Sequence, residues 1–276
     1  MDASRALELH RDQGFGEVSK LTSNLQNPER LRFSHFGTPP EIDNLITGAA
    51  VVSTSSHSRG RARNRADRPS DALTAAQICN LMAAERHARQ IGLPFNRMIT
   101  IHWQAAGLQL EDMVRATGRF IDLLTKALVR HGSKTAWLFV HENAAGTGHE
   151  KGGHVHLLTH IPADRVPTIK RLQMRWLKQI TGRPYRQKVI RSRPIGGRLG
   201  LEASNPELYL VNAQQALAYL LKGAAPEAAA QFGLLRQKAG GRVLGKRVGT
   251  SQNIGMKARA TCTNCSKAEF LEKAKP

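Results

Sequence analysis

A chain of 276 residues holds one core domain with tails or two small domains. Its 41 Lys+Arg against 21 Asp+Glu give a formal net charge of +20 and a pI near 10.8, pointing to a polyanionic partner, nucleic acid first and an anionic membrane surface second. No apolar run reaches the ~18–20 residues of a membrane span, and the first residues (MDASRALELHRDQG) lack a secretory apolar core. Three cysteines make no disulfide framework, so the expected compartment is the cytoplasm.

Residues 1–70 carry little periodicity, and Ser53–Arg68 is rich in Ser and Arg without aromatics, which predicts a disordered or basic N-terminal region. Order is expected from Ser70-Asp71, which can cap a helix running to Gly92. Arg97–Trp103 (RMITIHW) reads as a β-branched strand with Ile99, Ile101 and Trp103 on one face and Met98, Thr100 and His102 on the other. Leu110–Arg130 is an amphipathic helix stopped by His131-Gly132. Trp137–Glu142 and His154–Ile161 are apolar runs around a glycine-rich turn, a β-hairpin. Ala163–Ile180 is a second amphipathic helix ended by Thr181-Gly182, and Arg186–Arg193 an edge strand. The order β-α-β-β-α-β predicts an α+β fold, a ferredoxin-like antiparallel sheet with both helices on one face and the other face free. Asn205-Pro206-Glu207 starts a further helix to Lys222, apolar at Leu210, Val211, Leu217, Ala218 and Leu221, polar at Asn212, Gln215, Tyr219 and Lys222. The domain is thus expected over 71–225, followed by a basic tail over 226–276.

The hairpin carries the chemistry. Side chains alternate along a strand, so His154 and His156 share a face, and the turn brings Glu142 back beside His154. Two imidazoles and a carboxylate make a divalent-metal site with open positions, and oxygen with imidazole ligands accepts Mg2+ or Mn2+. His149, Glu150 and His160 are rival ligands nearby. If the strand Arg97–Trp103 lies next to His154, His102 approaches both histidines. Tyr219 is a candidate nucleophile, with Lys222 one turn on to lower its pKa or neutralise a phosphate. Between Arg165 and Leu201 there are eleven Lys/Arg and no acid. Lys170, Arg171, Arg175, Lys178, Arg186, Lys188 and Arg191, with Thr100 and His102, are therefore the expected DNA contacts, on a surface continuous with the metal site. Two near-motifs fail: Gly240–Arg247 imitates a phosphate-binding loop but has Arg247 where Ser/Thr belongs, and Cys262 and Cys265 form half a zinc site.

The motif HVHLL at 154–158, Glu142 before it and Tyr219-Leu-Leu-Lys222 after it resemble the HUH endonucleases over residues 95–225. The resemblance implies a metal-assisted attack of tyrosine on single-stranded DNA, leaving a 5′-phosphotyrosine and a free 3′-OH. No tyrosine precedes Tyr185, so the arrangement is similar to that of replication initiators rather than relaxases, with one tyrosine instead of a YxxxY pair. The resemblance thus implies an origin-nicking initiator of rolling-circle replication in a plasmid or phage, served by a separate helicase. The competing expectations are a transposase of the same tyrosine class, a non-catalytic DNA-binding relative, and an iron oxygenase whose facial triad uses two histidines and a carboxylate.

Overall fold

The computed structural model describes residues 68–144 and 152–260, which lie in one compact unit. Residues 1–67, His149, Glu150 and the Cys262/Cys265 pair fall outside the described residues, as do the expectations placed on them. Strands β1 (Pro69–Ser70), β2 (Arg97–His102), β3 (Trp137–Ala144), β4 (Gly152–Thr159), β5 (Ile190–Pro194), β6 (Val243–Leu244) and β7 (Val248–Thr250) alternate with helices α1 (Ala75–Gln90), α2 (Met113–Arg130), α3 (Val166–Thr181), α4 (Leu201–Ser204), α5 (Pro206–Leu221) and α6 (Pro226–Gln231). The fold is α+β, built on a five-stranded antiparallel sheet ordered β5-β2-β4-β3-β7, beside a small β1-β6 pair. No described helix is long and apolar enough to cross a membrane.

The sheet has two covered faces. Ile99, Ile101, Val155 and Leu157 point to α2 and α3, where Phe120, Leu124, Ile169 and Trp176 complete one core. Leu138, Val140 and Leu158 point to the opposite side, where Leu81 of α1 and Leu217 and Leu220 of α5 complete a second. The expected free face is therefore a helix-covered one. The signal lies in β4, which is buried at every position and so cannot have a solvent face.

Several boundaries move for identifiable reasons. Helix α1 is capped by Thr74, not Ser70-Asp71: the Thr74 hydroxyl accepts from Gln77 N and the Gln77 side chain accepts from Thr74 N, a capping box. Before it, Ser70 pairs with Val243, and Leu73 exchanges backbone hydrogen bonds with Gly223 and Ala225, which keeps that stretch extended. Strand β5 starts only at Ile190, because Lys188 adopts φ 68°. Helices α2 and α3 end as expected at His131 and Gly182.

Most of the expected C-terminal tail is structure. Through residue 260 it supplies α6, β6 and β7, and β7 pairs with β3 as a fifth strand. Arg247 of the failed phosphate-loop motif is a buried clamp. Its guanidinium donates to Ser70 Oγ at 3.0 Å, the His141 carbonyl at 3.3 Å, the Gly241 carbonyl at 2.5 Å and the Ser70 carbonyl. Gly241, at φ 64°, lets this segment pass Asn143: a Cβ there would collide with the Asn143 carbonyl oxygen.

Candidate functional site

The site forms on the α1/α5 side of the sheet, where the register fixes its members. Glu142 pairs with His154 and His154 with His102, while His156 pairs with Thr100 and Thr100 with Arg191. Directly opposed residues point to the same face, so strand pairing alone gathers Glu142, both histidines and His102. Glu142 Oε2 lies 3.3 Å from His154 Nε2 and 3.7 Å from His156 Nε2. The rings of His102 and His154 have centroids 5.2 Å apart.

The histidine orientations suit a metal. His154 Nδ1 lies 2.8 Å from the Gly152 carbonyl, an acceptor only, so Nδ1 carries the proton and Nε2 is left as a lone-pair donor. His156 Nδ1 lies 2.9 Å from Thr100 Oγ1, which holds the ring with Nε2 toward Glu142. Such outer hydrogen bonds fix tautomer and ring orientation in metal sites. One donor atom from each of Glu142, His154 and His156 lies within 4.8 Å of the others, and all three residues are buried. This group is able to hold a metal ion. Thr100, expected as a DNA contact, instead orients His156.

Tyr219 and Lys222 arrive from the helix layer. Asn205 caps α5 by accepting from Leu208 N at 3.0 Å, with Pro206 in the first turn, as the sequence predicts. The buried side of α5, however, is Tyr209, Ala213, Leu217, Leu220 and Leu221, while Val211 and Ala218 face solvent. Tyr219 flanks that stripe, half-buried, with its ring edge-on to His156 at a centroid distance of 5.0 Å. Lys222 is 5% exposed rather than on a polar face. Its ammonium donates to both Glu142 oxygens, at 2.5 and 2.6 Å, and lies 3.5 Å from His156 Nε2 and 4.0 Å from the Tyr219 ring centroid.

Electrostatics separate the roles. Burial alone would raise the Glu142 carboxyl, but the adjoining His154 and His156 imidazoles and the Lys222 ammonium hold it below the usual carboxylate range. Burial pushes His156 down to about 4, against the pull of Glu142, so it is neutral and ligand-competent at neutral pH. The Tyr219 hydroxyl is raised by burial and by the Glu142 charge. The cation that opposes this shift is Arg236, whose guanidinium lies 5.1 Å from the Tyr219 ring centroid. Arg236 comes from a segment whose Lys238 N–H donates to the Lys222 carbonyl at 2.8 Å. No periodicity marks Arg236; only the fold of the expected tail brings it here.

The remaining residues separate clearly. His160 lies outside the metal-competent group formed by Glu142, His154 and His156 among the described residues; its Nδ1 lies 2.8 Å from the Pro94 carbonyl. Tyr209 donates its hydroxyl to the Phe95 carbonyl at 2.9 Å inside the core and cannot serve as a nucleophile. Arg191 shares the site face. Arg186 and Lys188 are exposed in the loop leading to Val189, whose carbonyl accepts from His102 N at 2.8 Å. Lys170, Arg171, Arg175 and Lys178 are exposed on α3, across the sheet from the site, so the expected single continuous basic surface is two. His141, unmarked by any sequence motif, points away from the site. It is fully buried, with Nδ1 2.8 Å from the Lys246 carbonyl and Nε2 2.8 Å from Thr117 Oγ1, which also accepts from Trp103 Nε1.

No protein-family model, no curated protein and no solved structure gives a significant match to the chain.

Proposed function

We propose that the protein is a metal-dependent tyrosine endonuclease of the HUH type, nicking and rejoining single-stranded DNA at a replication origin. The observation that carries this reading is the convergence of Tyr219 on His156, at a 5.0 Å ring separation, from a helix well downstream of the hairpin. A ferredoxin-like core is supported by the order β5-β2-β4-β3 with α2 and α3 together on one side.

In this mechanism Glu142, His154 and His156 would hold Mg2+ or Mn2+, and such an ion would supply Lewis-acid stabilisation of the charge on the scissile phosphate. Tyr219 gives up its phenolic proton to solvent, and its oxygen attacks the scissile phosphorus. The bond from phosphorus to the 3′ oxygen breaks, the leaving oxygen keeps the electron pair and takes up a proton, and DNA remains attached as a 5′-phosphotyrosine. Attack by a 3′-OH reverses the step and rejoins the strand. Arg236 lowers the cost of ionising Tyr219, and Arg191, Lys188 and Arg186 hold phosphates flanking the break. Rolling-circle initiation, a separate helicase and a cytoplasmic setting complete the proposal; a transposase would use the same chemistry.

A second reading, DNA binding without cleavage, is favoured by Lys222, which rests on both oxygens of the carboxylate a metal would need. The deciding experiment incubates the full chain with single-stranded oligonucleotides tiled across the DNA flanking its own coding region, with MnCl2 or EDTA. A DNA-linked band on a denaturing protein gel is expected with Mn2+ and absent with EDTA or in Tyr219→Phe. An adduct that survives Tyr219→Phe moves the nucleophile to Tyr185, since Tyr209 is committed to the core. Tight binding with no adduct on any strand establishes the second reading.

A further inference from the structure

We infer that the outer face of α2 and α3 is a second nucleic-acid surface, one that docks the phosphate backbone of duplex DNA. Lys170, Arg171, Arg175 and Lys178 stand on the solvent side of α3 while Ile169, Gln173, Trp176 and Leu177 face the sheet. None of the four enters an ion pair among the described residues, whereas Lys126 and Arg115 on α2 are neutralised by Asp122 and Asp112. Arg175 also rims a groove between the helices, with Lys126 and Arg130 opposite and Trp176 among its lining residues.

The position excludes these cations from the strand held at Tyr219. They lie across the sheet from it, roughly 20 Å away by two layer spacings of ~10 Å. Four unpaired charges on a rigid helix, with no acid between Arg165 and Leu201, still favour a polyanion. A single strand would need exposed aromatic rings for its bases to stack on. Here Phe120 and Trp176 are buried, the exposed large apolar side chains on the two helices are Met174 and Val129, and Leu123, Ala127 and Leu172 are only partly exposed in the groove. That scatter also gives a membrane no apolar stripe to insert. A duplex, which presents regularly spaced phosphates and no bare base faces, matches what remains. The surface extends the proposed function, because origin DNA flanking a nicked strand is double-stranded, yet it does not depend on the tyrosine chemistry.

The test measures binding of a fluorescent DNA duplex of about 25 base pairs to the full chain across a KCl series, in EDTA. In Lys170→Gln/Arg171→Gln/Arg175→Gln/Lys178→Gln, the salt slope of log K should fall by about 3–4, at ~0.9 per phosphate contact, and duplex affinity near 0.1 M salt by ~1,000-fold. A charge-matched control, Lys134→Gln/Arg198→Gln/Arg242→Gln/Lys246→Gln, removes four other exposed cations and should keep most of the slope. Single-strand binding, and nicking where it occurs, should be unchanged in the first variant. Equal loss in both variants, parallel loss of single-strand binding, or preferential capture by anionic phosphatidylglycerol vesicles would each overturn the inference. A full duplex effect without any nicking would leave it standing and fell the proposed function alone.

Discussion

At the scale of single residues, Lys222 behaves unlike its sequence position suggests. On a helix wheel it joins Gln215 and Tyr219 as a polar face; in the fold its ammonium is buried on Glu142. Removing one partner of a buried ion pair leaves the other charge uncompensated, at a cost of about 3–5 kcal/mol. Lys222→Met is therefore expected to lower the melting temperature in EDTA, and added Mn2+ should raise it by more than in the wild-type chain, because a divalent cation replaces the missing charge. An equal Mn2+ shift in both proteins, read by differential scanning calorimetry, would show that the two cations do not share the carboxylate. The metal-competent trio is legible in the sequence because HxH needs only a strand and its period, and Glu142 only the hairpin. Arg236 is not, because nothing local distinguishes it from any loop arginine. Lys222 misleads, because an ion pair to a distant strand inverts its helix-face reading.

At the scale of elements, long periodic segments declare themselves and short ones do not. β2, α2, the hairpin, α3 and the Asn205 cap of α5 all stand where their patterns predict. β1, β6 and β7 are two or three residues long, too brief for any alternation, and exist only through partners far along the chain. The consequence is testable by truncation. A chain ending at residue 225 loses β7, the Arg247 clamp and Arg236, and leaves the β3 edge bare, an invitation to pairing between chains. It should be insoluble or lack a cooperative melt, whereas a chain ending at residue 260 should keep the wild-type circular dichroism spectrum and transition. Solubility and a sharp melt in the shorter chain would return residues 226–260 to the status of a tail.

At the scale of the whole molecule, acid should undo the fold from within. Burial pushes both His141 and His156 down to about 4, far below the unfolded value of about 6.5. Between those limits the unfolded chain binds protons that the native chain refuses, so stability falls as pH drops from ~6.5 toward ~4. Glu142 adds to the loss at lower pH, since its native carboxyl is held below its unfolded range. Each histidine contributes at most about 3 kcal/mol on this argument. Urea denaturation in EDTA should show a midpoint falling steadily from pH 7 to pH 5, and His141→Gln should flatten part of that slope. A wild-type midpoint independent of pH over this interval would mean that neither imidazole is buried neutral. Net charge acts in the same direction, because a chain already at +20 gains further self-repulsion with each proton.

The spacing of the site along the chain also sets an order of events. Glu142, His154 and His156 meet as soon as one hairpin closes, a local step on the microsecond scale. Tyr219 joins them only after α5 has packed on the sheet, and Arg236 only after the segment beyond it has been threaded past Asn143 and locked by Arg247. Contacts across such distances close late, since each must overcome the entropy of a long loop. A half-folded or prematurely ended chain would therefore possess the metal pocket without the nucleophile. For the nicking activity proposed above, completion of the fold is then itself the safety catch.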